Sequence, residues 1–376
     1  MVTLSLMEGL RNRGHEVRCI TSAWNDGGFE KRLEELSIPY SLLPLGFVSK
    51  TFSSSTLRMT LAQGLRLGGL WSGYRKATRF FRPDIVLHSG IHHLVLLWPL
   101  LGHEVNVFHV HDTFAPTPFY RRLFGALSRR VTTFVGVSKF VAESLINLGV
   151  PESKVAYVLN GIVVDDSTGR AAGNGSNDKK NGSEPGGPIR IGIVGQVDEW
   201  KGHEDLIDAL HILEEKRQPF ICKIFGAGSP EFAAKLRSRI DEYKLANKVE
   251  WMGFVDDRRA IYGGMDVCVV PSRISEAFGM VAAEASMFGL PVVASRTGGL
   301  MEVVLDDETG YIVDAKSPEQ IAEKIYALST SPGTLVKMGR SAAAHVLEAL
   351  SAKQMIDKME ALFESLLSRE RKLPNR

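Results

Sequence analysis

Two carboxylates, Glu276 and Glu284, stand in the stretch SEAFGMVAAEASMFGLPVVAS (residues 275–295), and nothing else between Glu276 and Arg296 carries a charge. A helix that is apolar on all sides is normally buried, and a buried carboxylate is costly unless something hydrogen-bonds it. Glu284 therefore needs a partner, either a neighbour in the fold or a ligand. Glu276 lies just ahead of the helix that opens at Phe278-Gly279-Met280. Helix N-termini carry free N–H groups and the positive end of the dipole, which attract phosphate. Two further turns have the same character: GIVGQVDEWKGHEDL, where Lys201 adds a point charge beside Gly202, and FGAGSPE at 225–231. Plainer roles stay open for each residue alone. Glu276 could merely complement the helix dipole, Lys201 could be a surface lysine, and Glu284 could be tied to a core amide or arginine. None of these accounts for both acids and the Gly279 turn together. Neither GxGxxG nor GxxxxGK[ST] occurs, which removes the main support for dinucleotide and P-loop binding.

The elements that must carry these residues are strands alternating with helices. EVRCIT, DIVLHS, VNVFHVH and TTFVGVS read as short strands in the first half, each followed by a helical run. Residues 56–82 read as a long helical insertion. The stretch 165–188, DDSTGRAAGNGSNDKKNGSEPGGP, holds six glycines and no large apolar residue, so it cannot pack a core and reads as a flexible linker. After it the alternation resumes with IRIGIVG, FICKIFG, KVEWMGF, DVCVVPS, PVVAS and GYIV. Short Val/Ile/Phe-rich strands between helices argue for parallel sheets covered on both faces. In such doubly wound folds ligands bind at the carboxyl ends of the strands. The expected organisation is a Rossmann-like domain at 1–164, the linker at 165–188 and a second Rossmann-like domain at 189–350. A closing helix at 351–376 is expected to cross back to the first domain.

Composition bounds the rest. At 376 residues, 44% hydrophobic and 23% charged, the chain has the make-up of a globular protein. Cys19, Cys222 and Cys268 lie far apart and form no metal pattern, and no signal peptide is visible, so a cytoplasmic location is expected. Of the N-terminal histidines, only His109 and His111 have a strand spacing that puts two rings on one face; no metal site is expected. Net charge is +2, yet Val48–Lys139 holds twelve Lys/Arg against three acids. Within it, PFYRRLFGALSRR pairs arginines with aromatic and leucine residues. This is either a solvated basic face around a packed stripe or an amphipathic helix that lies on an anionic membrane. Nucleic acid is not an expected partner.

SEAFGMVAAEASMFGLPVVASRTGGLMEVVLDDETGYIV resembles the E-x7-E region of the retaining group 1 glycosyltransferases of family 4, which have the GT-B fold. VGQVDEWKG, FGAG, VEWMGFV and GVSKFVAESLINLGVPESKVAYVLNG fit the same family in the same order, so the resemblance covers nearly the whole chain. It implies two Rossmann-like domains facing a central cleft and transfer of a sugar from a nucleotide-diphosphate donor to a glycan, lipid-linked or small-molecule acceptor. Retention of configuration is implied, with no metal and no other cofactor. By the resemblance Glu284 holds the ribose hydroxyls, and Glu276 holds the transferred sugar together with the backbone at Phe278, Gly279, Met280 and Val281. Lys201 neutralises the diphosphate, Gly226 and Gly228 admit the nucleotide, and Phe254 and Val255 meet the base. His111 faces the donor sugar and acceptor from the first domain. Family members are thought to retain configuration by a same-face route in which the leaving phosphate helps deprotonate the acceptor. Readings that need no acceptor, a sugar-nucleotide epimerase or hydrolase, stay open on the same fold, as does a non-catalytic nucleotide-sugar-binding protein.

Two departures matter. Gln196 stands where the family usually has Arg, which makes one phosphate contact neutral. Family members also begin with a strand and a glycine-rich loop ahead of the helix that reads here as VTLSLMEGLRNRGHEV. The expectation is therefore that residues 1–376 are a shortened form of a longer product, with an impaired first domain and a competent donor domain.

Overall fold

The computed structural model describes residues 2–23, 27–46, 54–102, 104–164 and 187–372. The chain divides into two compact units: Met1–Gly161 with Ala352–Arg376, and Ile162–Ser351. Most of the linker expected at 165–188 lies outside the described residues; Gly187 and Pro188 lead straight into a strand.

In the first unit the strands are β1 (Cys19–Ser22), β2 (Tyr40–Leu43), β3 (Ile85–His88), β4 (Val105–Val110), β5 (Thr133–Gly136) and β6 (Val155–Tyr157). All pairings are parallel, but they fall into two sheets, β1-β2 and β3-β4-β5-β6. Among the described residues, β1 and β3 are each paired on one side only. Helix α1 (Val2–Asn12) packs against both sheets. Its Leu6 and Leu10 join Val105, Val107 and Val135 in one core, while Leu4 and Met7 join Leu33 and Ile38 in another. The helix Ala352–Lys372 returns to this unit, adding Met355, Ile356, Met359, Phe363 and Leu366 to the first of these cores. Helices here start where the sequence provides caps. Thr117 accepts from the Tyr120 amide ahead of Pro118, and Ser138 accepts from the Val141 amide at 3.1 Å. Strands β2 and β6 escape the sequence reading because they are short edge strands with exposed residues, Leu42 and Tyr157 among them, and so lack a buried run.

The second unit is one six-stranded parallel sheet. Its strands are β7 (Ile189–Val194), β8 (Phe220–Phe225), β9 (Val249–Gly253), β10 (Val267–Val270), β11 (Val292–Ser295) and β12 (Gly310–Val313), in the order β12-β11-β10-β7-β8-β9. From β7 the chain builds outward through β8 and β9, then returns to the other side of β7 for β10, β11 and β12. That reversal opens a crevice outside the carboxyl ends of β7 and β10. Ile191, Ile193 and Ile224 of the sheet pack with Leu206, Leu210 and Leu213 of the helix His203–Glu215 and with Ile321, Ile325 and Leu328 of Pro318–Thr330. At the opposite, amino ends of β7 and β10, the Asp266 carboxylate takes the Arg190 side chain through two N–H groups at 3.0 and 2.6 Å, and the Arg190 amide at 2.8 Å.

Both units bury histidines. His88 sits at the end of β3 beside Asn106, with Nε2 3.1 Å from Asn106 Oδ1, and burial pushes its imidazole down to about 4 from 6.5. His109 of β4 is pushed well down by burial and by His111, and His203 falls to about 4 by burial. Each ring is neutral in the folded protein, whereas the unfolded chain takes up a proton near 6.5. The stability they contribute is complete above pH 6.5 and is lost as pH falls; for His88 and His203 the loss runs towards pH 4 and reaches up to about 3 kcal/mol each. The melting temperature should therefore drop steeply from pH 7 to pH 4.5, and His88→Gln should flatten that slope; an unchanged slope would remove His88 from the cause.

Candidate active site

Three loops meet at the carboxyl end of the sheet of the second unit. The one after β7 runs Gly195-Gln196-Val197-Asp198, makes a single 3-10 turn at Glu199–Lys201, and enters the helix His203–Glu215 through Gly202 at φ 72°. The loop after β8 lies directly on it. A Cβ at Gly226 would stand 1.8 Å from the Gly195 carbonyl oxygen, and one at Gly228 1.8 Å from that of Val197. The Val197 amide donates to the Ala227 carbonyl at 2.9 Å. The missing side chains of Gly226 and Gly228 thus admit a neighbouring backbone, a role that the sequence reading gave to a nucleotide.

The loop after β10, Pro271 to Gly279, completes the group. A Cβ at Gly202 would fall 1.9 Å from the Pro271 carbonyl oxygen, so the first and third loops also touch through backbone. Arg273 fastens them. Its Nε and Nη2 donate to the two oxygens of Asp205 at 2.8 and 2.7 Å, Nη1 donates to Glu204 at 2.9 Å, and its amide donates to the Trp200 carbonyl at 2.8 Å. Glu204 and Asp205 are buried in the first turn of the helix after Lys201. Hydrogen bonds to Asp205 raise the guanidinium's already high pKa. The third loop ends at Gly279, whose φ of 108° only glycine adopts readily. The helix Met280–Met287 then leaves the amides of its first turn without intrahelical acceptors.

The charged groups pair within this frame. Lys201 Nζ lies 2.7 Å from Glu276 Oε1, and Ser272 Oγ donates to the same oxygen. The two side chains are 13% and 11% exposed. The ammonium also stands 4.3 Å above the Trp200 ring. Glu276 is held by its backbone as well, its carbonyl accepting from the Gly299 amide at 2.8 Å. Glu284, on the helix Met280–Met287 itself, has two partners in the fold. Arg258 Nη2 lies 3.1 Å from Oε1, and the Tyr262 hydroxyl donates to Oε2 at 3.0 Å. Burial and the Glu284 charge keep the Tyr262 hydroxyl protonated. The carboxylate that looks unpartnered in sequence is therefore already satisfied by the helix Arg258–Tyr262.

The remaining expected residues divide. Gln196 points at Asp198 at 3.4 Å, and Phe254 is 80% exposed beyond the end of β9, with Val255 half-buried beside it. The Phe278 side chain is in the core, so only its backbone is available, while Met280 and Val281 are half-buried. His111 belongs to the first unit, just past β4. Its ring stands 4.2 Å from that of His109, and burial lowers its pKa. Among the described residues no group of three or more His, Cys, Asp or Glu comes together that could hold a metal. Sequence reasoning missed Ser272, Arg273, Arg258 and Tyr262. The i, i+4 spacing of Arg258 and Tyr262, and a lone arginine directly after the strand DVCVVPS, were the available signals.

The profile of the family described as Glycosyl transferases group 1 matches residues 175–345, and that of Glycosyltransferase Family 4 matches residues 1–166. A D-inositol 3-phosphate glycosyltransferase of Arthrobacter sp. (strain FB24) is 33% identical over 172 residues, 43% of this chain and 39% of that one. A putative colanic acid biosynthesis glycosyltransferase of Escherichia coli (strain K12), WcaL, is 28% identical over 220 residues, 57% of this chain and 50% of that one. The chain thus spans half or less of the length of these curated relatives. Among solved structures, Anabaena HepE in complex with UDP and glucose superposes with a TM-score of 0.74 at 18% identity, over 97% of this chain and 95% of that one. The sucrose-phosphate synthase of Thermosynechococcus elongatus gives 0.73 at 19% identity, over 97% and 92%.

Because Arg273 neutralises two buried acids and joins two loops, Arg273→Ala should destabilise the second unit by about 3–5 kcal/mol. Arg273→Lys should fall between, since an ammonium cannot make the two-pronged contact with Asp205. Urea unfolding followed by tryptophan fluorescence measures both; equal stability of Arg273→Ala and the parent would refute the clamp.

Proposed function

From a chain that belongs to the group 1 glycosyltransferases and has their GT-B fold, we infer that it moves a sugar from a nucleoside-diphosphate donor to an acceptor hydroxyl, with retention and without a metal. The observation that carries this reading is the pairing of Lys201 with Glu276 at the carboxyl ends of β7 and β10, beside open helix amides. The donor is held by the second unit. Lys201 and the amides of Gly279, Met280 and Val281 face the diphosphate and sugar, Glu284 takes the ribose hydroxyls, and Phe254 and Val255 flank the base. UDP is the first nucleotide to test, since HepE was solved with UDP bound.

In the transfer, the bond from the anomeric carbon to the diphosphate oxygen breaks while positive charge grows on the sugar. Lys201 and the helix amides stabilise the negative charge on the departing diphosphate, where preorganised donors are most effective. The acceptor oxygen attacks from the same face, and its proton passes to the leaving phosphate oxygen. Glu276 Oε1 already accepts from Ser272 and pairs with Lys201, which leaves Oε2 to orient sugar hydroxyls and favours a holding role over a nucleophilic one. The first unit, with His111, takes the acceptor. An anionic acceptor suits its basic span, and the relative named for D-inositol 3-phosphate acts, by its name, on a phosphorylated one.

Peripheral membrane contact belongs to the same reading, in electrostatic form. Among the described residues no helix is long and apolar enough to cross a membrane. In the helix Pro118–Leu127, Phe124 and Leu127 are buried, while Phe119, Arg121 and Arg122 are exposed. Arg130 is engaged in holding the carbonyls of Trp98 and Pro99. The stripe is packed at Phe124 and Leu127, so binding would rest on the surface arginines and Phe119.

Thermal shift with UDP, GDP, ADP and CDP should single out one nucleotide, with about 2.7 kcal/mol of stabilisation at a hundredfold excess over Kd. Lys201→Ala should then weaken that diphosphate far more than its nucleoside; equal losses would remove Lys201 from the phosphate. Turnover of donor with no acceptor present would make the protein an epimerase or hydrolase instead. Co-sedimentation with vesicles should require anionic lipid and fade with salt, as screened charges must; salt-insensitive binding, or none, would discard the membrane contact.

A further inference from the structure

Glu284 is gripped from one short helix. Arg258 and Tyr262 are four residues apart on Arg258–Tyr262, hence on one face, and each engages a different carboxylate oxygen. Tyr262 cannot yield, being 1% exposed and packed against the Phe288 ring at 5.3 Å between centroids. Phe288 in turn lies one turn beyond Glu284, donating its amide to the Glu284 carbonyl at 3.3 Å. At the other end of the grip, Asp257 caps the helix by accepting from the Arg259 amide at 2.9 Å. The carboxylate thus meets one donor on each oxygen, and one of the two, Tyr262, is held by packing. An ionised carboxylate has about four acceptor sites, two on each oxygen. Arg258 and Tyr262 each come to a different oxygen, and the second acceptor site on each oxygen is what a vicinal diol would use.

Arg258 also alters the field. Glu284 alone would present a negative charge to a ligand that itself carries a diphosphate, and like charges disfavour each other. The guanidinium at 3.1 Å makes the pair neutral. On this basis, and resting on the ribose-binding reading of Glu284, we propose that Arg258 is a positioning residue for nucleotide recognition. It orients Glu284 towards both ribose hydroxyls, so that ribose is chosen over 2′-deoxyribose, and it cancels the charge that would repel the diphosphate.

Calorimetric titration of the full chain with UDP, 2′-deoxy-UDP and uridine separates these roles. The parent protein should prefer UDP over 2′-deoxy-UDP by about tenfold or more, the worth of a hydrogen bond to a charged acceptor. Arg258→Gln should cut that preference to less than about threefold and should weaken UDP more than uridine. Arg258→Lys keeps the charge and loses the planar fork, so it should recover the UDP-to-uridine ratio and leave the ribose preference low. A purely structural arginine would lower the melting temperature and leave both ratios alone, and that result overturns the proposal. A parent protein that binds UDP and 2′-deoxy-UDP equally removes the ribose role of Glu284, and the proposal with it. Full ribose preference in Arg258→Gln, with the preference lost in Glu284→Gln, removes Arg258 alone.

Discussion

Arg273 reaches from the loop after β10 to the first turn of the helix that follows Lys201, where Asp205 takes two of its N–H groups and Glu204 a third. Lys201 and Glu276 come from loops 75 residues apart in sequence, yet their ion pair demands placement to a fraction of an ångström. The sheet alone places strand ends, and loops beyond them are free to wander. The guanidinium and the backbone contact between Gly202 and Pro271 remove that freedom before any side chain of the ion pair is considered. Three opposite charges in one buried cluster would be costly singly. Together they turn a pair of loops into one rigid surface.

The alternation of strand and helix was legible because it is local: an apolar run of four to six residues and a capping serine or threonine lie close together in the chain. The edge strand Tyr40–Leu43 has the length but not the buried run, since Leu42 faces solvent, and it becomes visible only through its parallel neighbour. The two acids were legible as an oddity, a charge in an apolar helix. Their partners were not, because Lys201, Arg258 and Tyr262 approach through tertiary packing and leave no trace in spacing to Glu276 or Glu284. The sequence posed Glu284 a choice between neighbour and ligand, and the fold supplies the neighbour without using every acceptor site. Glycines 226 and 228 show the same limit from the other side. A glycine announces that something comes close, and only the fold identifies it as the backbone of Gly195 and Val197.

The first unit works under a different constraint. Its strands form two sheets instead of one, and helix Val2–Asn12 spans the two cores with alternate leucines and a methionine. Cohesion there depends on one amphipathic helix more than on a hydrogen-bonded ladder. Its buried histidines add a dependence on acidity that hydrocarbon packing would not.

The helix Ala352–Lys372 completes the core around Val105 and Val107, although it follows the whole of the second unit along the chain. A ribosome making this protein releases Ile162–Ser351 before it releases Met355, Met359 and Phe363. Domains usually mature in the order of their synthesis; here the later-encoded unit has all its parts first. The nascent first unit must wait with an apolar face uncovered, held by about 190 residues of intervening chain. Synthesis therefore finishes the second unit while the first is still exposed to aggregation and to chaperones.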